Sequence, residues 1–489
     1  MRPLSFPLDA RGDEPRFLAI ARAVSDAITS GRLRPGDALP GSRALAESAG
    51  VNRNTVLAAL HELRLEGWIE TAGARGTFVS RELPVRPARA MKGLPAARRD
   101  DAPPAFELRG ERPSELGMRH HGSATPPRAP FPLLGGWPDV SAVPHAELAR
   151  AFRRALARHG SELLGYGDVR GDVRLRRALA ELLAKTRGVV AGEDGLLVTR
   201  GSQMAIALAA RAMLARGDVV AVEAYGYRPA WEALRAAGAE LVPVAVDGSG
   251  LCVDALEALA RRRKVRAVYV TPHHQYPTTA TLPAARRLAL LALARRERFA
   301  ILEDDYDHEF HYDGRPTLPL ASADDGSLVV YVGTLSKVLA PGLRVGFLVA
   351  PRALLERAAA IRAFVDRQGD LAVERAVAEL VEDGVLARHA RKMRRLYHER
   401  RDALASALRA KLPELSFEVP AGGLAIWARA RKKTDVDAWA ERAAARGVLV
   451  HTARRFTFDG HAEPHFRLGF APLSPPRIRE AVAILTSAS

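Results

Sequence analysis

The hydrophobic positions of residues 16–67 recur at helical spacing in three successive segments. In the first segment, RFLAIARAVSDAITSG, the regularly spaced apolar residues are Leu18, Ala21, Val24 and Ile28. The second segment, SRALAESAG, begins at Ser42, which we expect to be its N-cap, and ends at Gly50. The third, NRNTVLAALHELRLEG, has its N-cap at Asn52 or Asn54. Its apolar face consists of Val56, Leu60 and Leu63. The pattern predicts three helices.

Two short alternating segments follow these helices. WIETA and GTFVS flank the turn at residues 73–76, and their alternation of polar and apolar residues predicts a hairpin. Three helices followed by a hairpin are the plan of a winged helix-turn-helix. We therefore expect a domain of this fold at residues 13–80.

Residues 131–489 show a different rhythm, in which short apolar strands alternate with long amphipathic helices. The predicted strands are GLLVT, VVAVE, ELVPVAV, AVYVTP, FAILEDD, LVVYVG and RVGFLVA. This alternation is typical of an α/β domain with a largely parallel sheet covered by helices. Between the two regions, residues 81–130 are rich in proline and arginine and lack periodicity, which predicts a flexible linker.

The composition excludes several classes of protein. The chain has 489 residues, of which 48% are hydrophobic and 26% charged, as in soluble globular proteins. Its single cysteine, Cys252, excludes an internal disulfide and a cysteine-built zinc site. No apolar run approaches the roughly 18 residues of a membrane span, and the first residues lack the apolar region of a secretory signal. We expect a cytoplasmic protein, and the sequence predicts no metal site.

The formal net charge of +17 suits a nucleic-acid partner but does not identify one. Only eight of the 73 basic residues are lysines, so an arginine-rich composition accounts for much of the charge by itself. The first 80 residues carry ten basic and nine acidic side chains, so the excess is not concentrated there. A prediction of DNA binding therefore needs a motif.

That motif is the sequence NRNT at residues 52–55, the first turn of the third predicted helix. In a helix-turn-helix this turn meets base edges in the major groove, where arginine pairs with guanine and asparagine with adenine. Arg43 begins the preceding helix and is placed to reach a phosphate or a base. Arg75, at the hairpin tip, is placed to enter the minor groove. The alternative is that Asn52 is only a cap and that the arginines are only solvated.

The run LRPGDALPGSRALAESAGVNRNTVLAALHELRLEGWIETAGARGTFVS closely resembles the DNA-binding domain of the GntR family. The resemblance covers nearly all of residues 15–80 and implies a set of DNA contacts. These are Arg43, Asn52, Arg53, Asn54, Thr55 and Arg75.

A different chemistry is indicated by GTLSKVLAPGLRVGF, where Lys337 follows a predicted strand. A lysine amine forms a Schiff base with an aldehyde, and the nearby Thr334, Ser336 and Arg344 have the side chains of a phosphate cradle. A lysine after a serine is a weak signal alone, so the prediction depends on the other segments.

Those segments supply the remaining groups that pyridoxal phosphate requires. In ILEDDYDHEF, Asp304 and Tyr306 are two residues apart at a strand end, a carboxylate for the pyridine nitrogen and a phenol for the ring hydroxyl. Residues 201–203 (Gly201, Ser202 and Gln203) open a helix whose backbone N–H groups suit a phosphate. Tyr227 is placed to stack on the ring, and Arg467 suits a ligand carboxylate.

Residues 131–489 resemble the fold-type I aminotransferases, which depend on pyridoxal phosphate, and the whole chain resembles the MocR/GabR subfamily of GntR-family transcriptional regulators. The supporting motifs are LLGYGDVRGDVRLRRAL, VTRGSQ, TPHHQYPT, EDDYDHEF and GTLSKVLAPGLRVGF. The resemblance implies that Lys337 is the Schiff-base lysine and Arg467 the carboxylate anchor. It implies cofactor contacts from Asp304, Tyr306, Tyr227, Arg344, Gly201, Ser202, Gln203, Thr334 and Ser336. Tyr166 would approach the phosphate from the partner subunit of a head-to-tail homodimer.

The chain also departs from the family pattern in the pocket. Tyr276 stands where working aminotransferases usually carry an asparagine, and Thr279 where glycine is usual. His273 replaces a common serine and Tyr225 a common proline. The missing asparagine weakens the case for efficient catalysis.

Two hypotheses follow. The first is a transcriptional regulator that binds an operator in double-stranded DNA and senses an amine or amino-acid effector, or pyridoxal phosphate itself, through Schiff-base exchange at Lys337. The second is an active aminotransferase with an accessory DNA-binding domain. The sequence favours the regulator and does not name its effector.

Overall fold

The computed structural model describes residues 14–84, 129–314 and 317–489. The chain divides into two compact units between Leu108 and Arg109. Residues 85–128 of the predicted linker lie outside the described residues, so the limits given to the linker and to both domains stay predictions. None of the helices in the described ranges combines the length and apolar character needed to cross a bilayer.

The N-terminal unit contains the predicted three helices and hairpin. The helices are α1 (Arg16–Thr29), α2 (Ser42–Ala49) and α3 (Arg53–Leu65). The strands are β1 (Ile69–Thr71) and β2 (Thr77–Val79). The two strands pair antiparallel, with Ile69 opposite Val79, and both of these side chains are buried against the helices.

The helix caps and faces differ in part from the prediction. Asn52 caps α3, because its side-chain oxygen accepts a hydrogen bond from Asn54 N at 2.9 Å. The prediction that Ser42 caps α2 is wrong: Gly41 is the N-cap, and the Ser42 hydroxyl instead accepts a hydrogen bond from Arg53 Nε at 3.2 Å. In the apolar face of α3, Val56 and Leu63 are fully buried whereas Leu60 is half-buried.

The C-terminal unit alternates strands and helices along its whole length. Its strands are β3 (Phe131–Pro132), β4 (Leu196–Arg200), β5 (Val219–Glu223), β6 (Glu240–Val244), β7 (Val246–Asp247), β8 (Gly250–Leu251), β9 (Val265–Val270), β10 (Ala300–Asp305), β11 (Val329–Thr334), β12 (Val345–Val349), β13 (Ala425–Arg429), β14 (Val448–Leu449), β15 (His451–Thr452) and β16 (His465–Gly469). Its helices are α4 (His145–Leu163), α5 (Val173–Arg187), α6 (Gly201–Met213), α7 (Arg228–Ala236), α8 (Val253–Ala260), α9 (Ala284–Glu297), α10 (Arg352–Val365), α11 (Leu371–Glu382), α12 (Val385–Lys411), α13 (Val436–Ala445) and α14 (Pro475–Ser487).

Seven of these strands form one sheet in the order β4-β12-β11-β10-β9-β5-β6. All seven strands predicted from the sequence are members of it. The sheet is parallel except for β12, which runs antiparallel to both of its neighbours, β11 and β4. A smaller antiparallel sheet, β13-β16-β15, lies near the C-terminus.

Helices cover both faces of the large sheet, so its strands are buried on both sides. Successive residues of β10 show this clearly: Ile301 packs into one apolar cluster and Leu302 into the other. The chemically interesting side chains follow the carboxyl ends of β9, β10 and β11, where ligands bind in sheets of this type.

Candidate functional site

A cavity of about 600 Å³ lies at the carboxyl ends of the central parallel strands. Nine of the sequence-predicted residues line it: Ser202, Gln203, Tyr227, Asp304, Tyr306, Thr334, Ser336, Lys337 and Arg344. They come from four separate stretches of the chain and meet because parallel strands end at one edge of the sheet.

Lys337 is the only lysine of this cavity wall. Its Nζ donates a hydrogen bond to the carbonyl oxygen of Gly136 at 2.7 Å. Burial, together with the positive charge of Arg467, lowers the pKa of Lys337 to about 8. An amine with this pKa is neutral in roughly one molecule in ten at pH 7, and the neutral form is the nucleophile.

Asp304 and Tyr306 bring unpaired polar atoms to the same cavity. Asp304 Oδ2 accepts a hydrogen bond from the Tyr269 hydroxyl at 2.7 Å, while Oδ1 has no hydrogen-bond partner among the described residues. Burial raises the pKa of Asp304 to about 7, so a positively charged partner is needed to hold it as a carboxylate. The buried Tyr306 hydroxyl also lacks a partner in the described ranges.

The cavity wall also has the groups of an anion site. Arg344 Nη2 donates to the carbonyl oxygen of Arg200 at 2.8 Å, which holds the guanidinium beside the first residue of α6. That residue, Gly201, has φ +75°, and a Cβ on it would lie 3.0 Å from Arg344 Nη2. Thr334 Oγ1 donates to Ser336 Oγ at 3.0 Å. Gly201 does not line the cavity; its lack of a side chain lets Arg344 approach the helix start.

Tyr227 and Gln203 are fixed by neighbours on the cavity wall. The Tyr227 ring meets the edge of Tyr276, with centroids 5.6 Å apart. Gln203 Nε2 donates to the carbonyl oxygen of Pro229 at 2.7 Å, which ties α6 to α7.

Arg467 is fully buried next to the cavity and is not part of its wall. Its Nε donates to the carbonyl oxygen of Pro277 at 3.3 Å, and its guanidinium lies 4.6 Å from the centre of the Tyr276 ring. Nη1 and Nη2 find no hydrogen-bond acceptor in the part of the chain that the structure describes. A buried cation with two unused donors is suited to a carboxylate.

Tyr166 is separate from this group. Its side chain is 85% exposed and lies under the guanidinium of Arg367, 5.1 Å from the ring centre. Within one chain it does not line the cavity.

Of the residues that depart from the family pattern, Tyr276 lines the cavity. Tyr276 packs edge-on against both Tyr227 and Tyr306 and so fills this wall with an aromatic ring. Thr279 has φ +66°, a conformation that favours glycine, which explains why glycine is usual there. The Tyr225 hydroxyl is hydrogen-bonded to Glu463.

Sequence reasoning missed several residues of the site. Tyr269 holds Asp304, Gly136 accepts from Lys337, and the Thr271 hydroxyl donates to the buried Glu223 at 2.7 Å. In the sequence, two of these features are marked by a polar side chain within an apolar strand: Glu223 in β5 and Tyr269 in β9. The pairing between strands that brings Tyr269 beside Asp304 is visible only in the fold.

These residues fit pyridoxal phosphate. The unpaired Asp304 Oδ1 and Tyr306 hydroxyl are what the ring nitrogen and ring oxygen of the cofactor need, and Lys337 carries the amine for its aldehyde. Arg344 and the N-terminus of α6 suit its phosphate.

In the N-terminal unit, five of the predicted DNA contacts are exposed at the starts of α2 and α3 and at the hairpin turn. These are Arg43, Asn52, Arg53, Asn54 and Arg75. Thr55 is half-buried. Because the Asn52 Oδ1 atom accepts a hydrogen bond from Asn54 N, the side-chain NH2 group is the part of Asn52 that this contact leaves unused.

Two family descriptions match this chain. Residues 18–79 match "Bacterial regulatory proteins, gntR family", and residues 139–485 match "Aminotransferase class I and II".

Individual relatives give the same two-part picture. The chain is 31% identical to the probable rhizopine catabolism regulatory protein MocR of Rhizobium meliloti, over 98% of this chain and 95% of that protein. It is 34% identical to the HTH-type transcriptional regulator TauR of Rhodobacter capsulatus, over 96% of this chain and 95% of that protein. Among solved structures, a multiple substrate aminotransferase from Thermococcus profundus superposes with a TM-score of 0.71 at 30% identity, covering 77% of this chain and 95% of that one.

Proposed function

This chain belongs to the MocR/GabR subfamily of GntR-family transcriptional regulators, and we propose that it regulates transcription in response to pyridoxal phosphate or to an amine that competes with Lys337 for it. A regulator of this kind acts on chromosomal DNA, so its place is the cytoplasm.

One observation carries the proposal. The Lys337 amine, the Asp304 carboxylate and the Tyr306 hydroxyl converge on one cavity, and the latter two each keep a polar atom without a hydrogen bond among the described residues. Burying such atoms is costly unless a ligand satisfies them. The same chain carries exposed arginine and asparagine side chains at the helix starts of its GntR-type unit.

The side chains divide the work of the site. When bound, pyridoxal phosphate supplies an aldehyde that condenses with amines. Lys337 supplies the resident amine, which its lowered pKa keeps reactive near neutral pH. Asp304 holds the pyridine nitrogen protonated, Tyr306 donates to the ring oxygen, and Tyr227 packs on the ring.

Further residues secure the phosphate and the effector. Arg344, Thr334, Ser336 and the start of α6 at Gly201 and Ser202 bind the phosphate, and Gln203 keeps α6 in place. Arg467, with its two unused guanidinium nitrogens, binds an acid group on the effector.

Lys337 also offers a route by which the site influences the rest of the chain. Its free amine donates to Gly136 O at 2.7 Å, and Gly136 lies four residues after β3 (Phe131–Pro132). An effector amine that took the place of Lys337 on the cofactor would leave the lysine amine free to make this hydrogen bond. Gly136 lies near the beginning of the C-terminal unit, so this hydrogen bond joins Lys337 to the part of that unit that is closest in sequence to the DNA-binding unit.

A head-to-tail homodimer completes the proposal. Several large apolar side chains are strongly exposed in one chain, among them Leu164 (78%), Tyr166 (85%) and Phe364 (94%). Burying them between two copies removes apolar surface from water and brings Tyr166 to the partner's phosphate site. Two DNA-binding units then contact two half-sites of an operator.

The cofactor assignment is tested by trapping. The full-length protein is incubated with pyridoxal phosphate, reduced with borohydride, digested and mapped by mass spectrometry. We expect the added mass on the peptide that contains Lys337, its loss in Lys337→Ala, and its retention in the exposed control variant Lys264→Ala. Labelling that survives in Lys337→Ala contradicts the assignment.

An active aminotransferase is the second candidate function. It is favoured by the retention of Lys337, Asp304, Tyr306 and Arg467 and by the likeness to a solved aminotransferase. Tyr276, in place of the usual asparagine, argues against efficient turnover. Conversion of the bound cofactor to its amine form by an amino acid, followed by regeneration with a keto acid over many cycles, would support this candidate.

A further inference from the structure

Four histidines gather behind the cavity wall, at the ends of two neighbouring strands. His273 and His274 follow β9, and His308 and His311 follow β10. The two strands are parallel neighbours, with Ala300 opposite Ala267, so their carboxyl ends lie side by side. None of the four lines the cavity of the cofactor proposal.

The imidazole rings are in direct contact and largely shielded from water. His273, His274 and His308 are 3%, 1% and 7% exposed, and His311 is half-buried. The ring centroids of His273 and His274 are 4.5 Å apart, as are those of His273 and His308.

Most of the ring nitrogens lack hydrogen bonds. Both nitrogens of His273, both of His311 and Nε2 of His274 find no partner within the described ranges. Buried polar atoms of native proteins are normally satisfied, and those that are not call for an unseen partner. Five such nitrogens in one contiguous group indicate a ligand that accepts electron pairs from imidazole.

The geometry suits a metal ion. His273, His274 and His311 each offer a nitrogen, and the three nitrogens lie within 4.8 Å of one another. Zinc–nitrogen bonds of about 2.0–2.1 Å in a tetrahedral site place nitrogens about 3.3 Å apart, so side-chain movements of about 1.5 Å or less close the site.

The surroundings of His274 support the same conclusion. Its Nδ1 lies 2.8 Å from Asp307 Oδ1, a carboxylate contact typical of metal-bound histidines, and this leaves Nε2 for the metal. A Cβ at Gly422 would lie 2.1 Å from Nε2, so only a glycine at this position leaves space beside the nitrogen. His311 forms a β-bridge with the same Gly422, which holds the two histidines together.

A second possible set, His273, His308 and Asp305, is less suitable. The Asp305 carboxylate already accepts a hydrogen bond from Tyr331 at 2.6 Å and lies 3.5 Å from Arg187 Nη1. A cation there would compete with a buried guanidinium.

We propose that His273, His274 and His311 bind one divalent transition-metal ion of the zinc class. Three imidazoles leave a fourth tetrahedral position for solvent. The ion joins the end of β9, which carries His273 and His274, to the segment after β10, which carries His311. The loop around Gly422 is held beside this segment by a hydrogen bond from Tyr312 N to Ala421 O at 2.7 Å. This site differs from the sequence prediction, which included no metal, and it does not depend on the proposed cofactor.

The test measures metal content in the tag-free, full-length protein. Each variant is incubated with zinc, dialysed extensively against metal-free buffer and analysed by inductively coupled plasma mass spectrometry. We expect about one equivalent per chain in the wild type and in His461→Ala, an exposed control, and loss of more than about nine tenths of it in His311→Ala. His308→Ala is expected to retain the metal, which separates the two possible sets.

Two results would overturn the proposal: retention of zinc by His311→Ala, or a wild type that binds none. Circular dichroism shows whether each variant is folded. A second measurement avoids mutation altogether. Copper(II) added to the wild type in substoichiometric amount should give an electron paramagnetic resonance spectrum with splitting from imidazole nitrogens, and a spectrum of oxygen ligands alone would contradict the assignment.

Discussion

The lowered pKa of Lys337 predicts how fast pyridoxal phosphate attaches at different pH values. With a pKa of about 8, the neutral amine rises from about 9% at pH 7 to about 91% at pH 9. The rate of covalent attachment should therefore increase about tenfold over this range and level off above it. A lysine with an ordinary pKa near 10.4 would be about 0.04% neutral at pH 7, so burial and the charge of Arg467 together raise the reactive fraction about 200-fold.

A substitution of Arg467 tests this explanation of the lowered pKa of Lys337. Its positive charge lowers the pKa of Lys337, so Arg467→Gln should raise that pKa and move the midpoint of the rate profile to higher pH. The matched control is Arg431→Gln, which removes an exposed arginine and should leave the midpoint unchanged. Attachment is followed by the absorbance change on rapid mixing, without effector, over the pH range in which circular dichroism shows the fold to be intact.

Two outcomes would refute this reasoning. A wild-type midpoint near that of free lysine would mean that the site does not desolvate the amine. A midpoint that is equal in Arg467→Gln and the wild type would mean that Arg467 does not act on Lys337.

Three other changes have defined consequences. Tyr269→Phe removes the hydrogen bond to Asp304 Oδ2 and should weaken the binding of the cofactor about tenfold or more in a fluorescence titration. The reason is that a hydrogen bond to a charged group contributes about 1.5–3 kcal/mol. An unchanged Kd would contradict this role of Tyr269. Arg53→Ala should relax base preference at one operator position by about 1–3 kcal/mol in a binding-site selection, whereas Arg64→Ala, at the other end of α3, should not. Equal weakening on all sequences would make Arg53 a phosphate contact only. Leu63→Ala opens a cavity at a fully buried position and should lower the free energy of unfolding of the N-terminal unit by about 2–5 kcal/mol. The loss should appear as faster hydrogen exchange of the backbone amides in α1–α3. Unchanged exchange would show that Leu63 does not stabilise this core.

Structural features that depend on residues close together in the sequence can be predicted from it. The seven strands of the large sheet are recognisable because strands buried on both faces are continuous apolar runs. The sequence predicts that Asp304, Tyr306 and Lys337 lie together because each is at or shortly after the end of such a run, and the structure places all three on one cavity wall.

Features that depend on partners distant in sequence were missed. The direction of β12 is not visible in its residues, because an antiparallel strand between buried neighbours is as apolar as a parallel one. Ser42 does not cap α2 because it is the first residue of the helix, and its hydroxyl accepts a hydrogen bond from Arg53, eleven residues away in sequence. Tyr269 and the histidines around His273 acquire their roles only through the pairing of β9 with β10.

We propose that the occupancy of the aminotransferase-like unit changes how the DNA-binding unit contacts its operator. The most direct measurement is a footprint on the DNA upstream of this protein's own gene, with and without pyridoxal phosphate, for the wild type and for Lys337→Ala. We expect protection of two separated half-sites by both proteins, with a pattern that changes on cofactor addition only in the wild type. No protection at low salt, or a wild-type footprint that ignores the cofactor, would contradict the account.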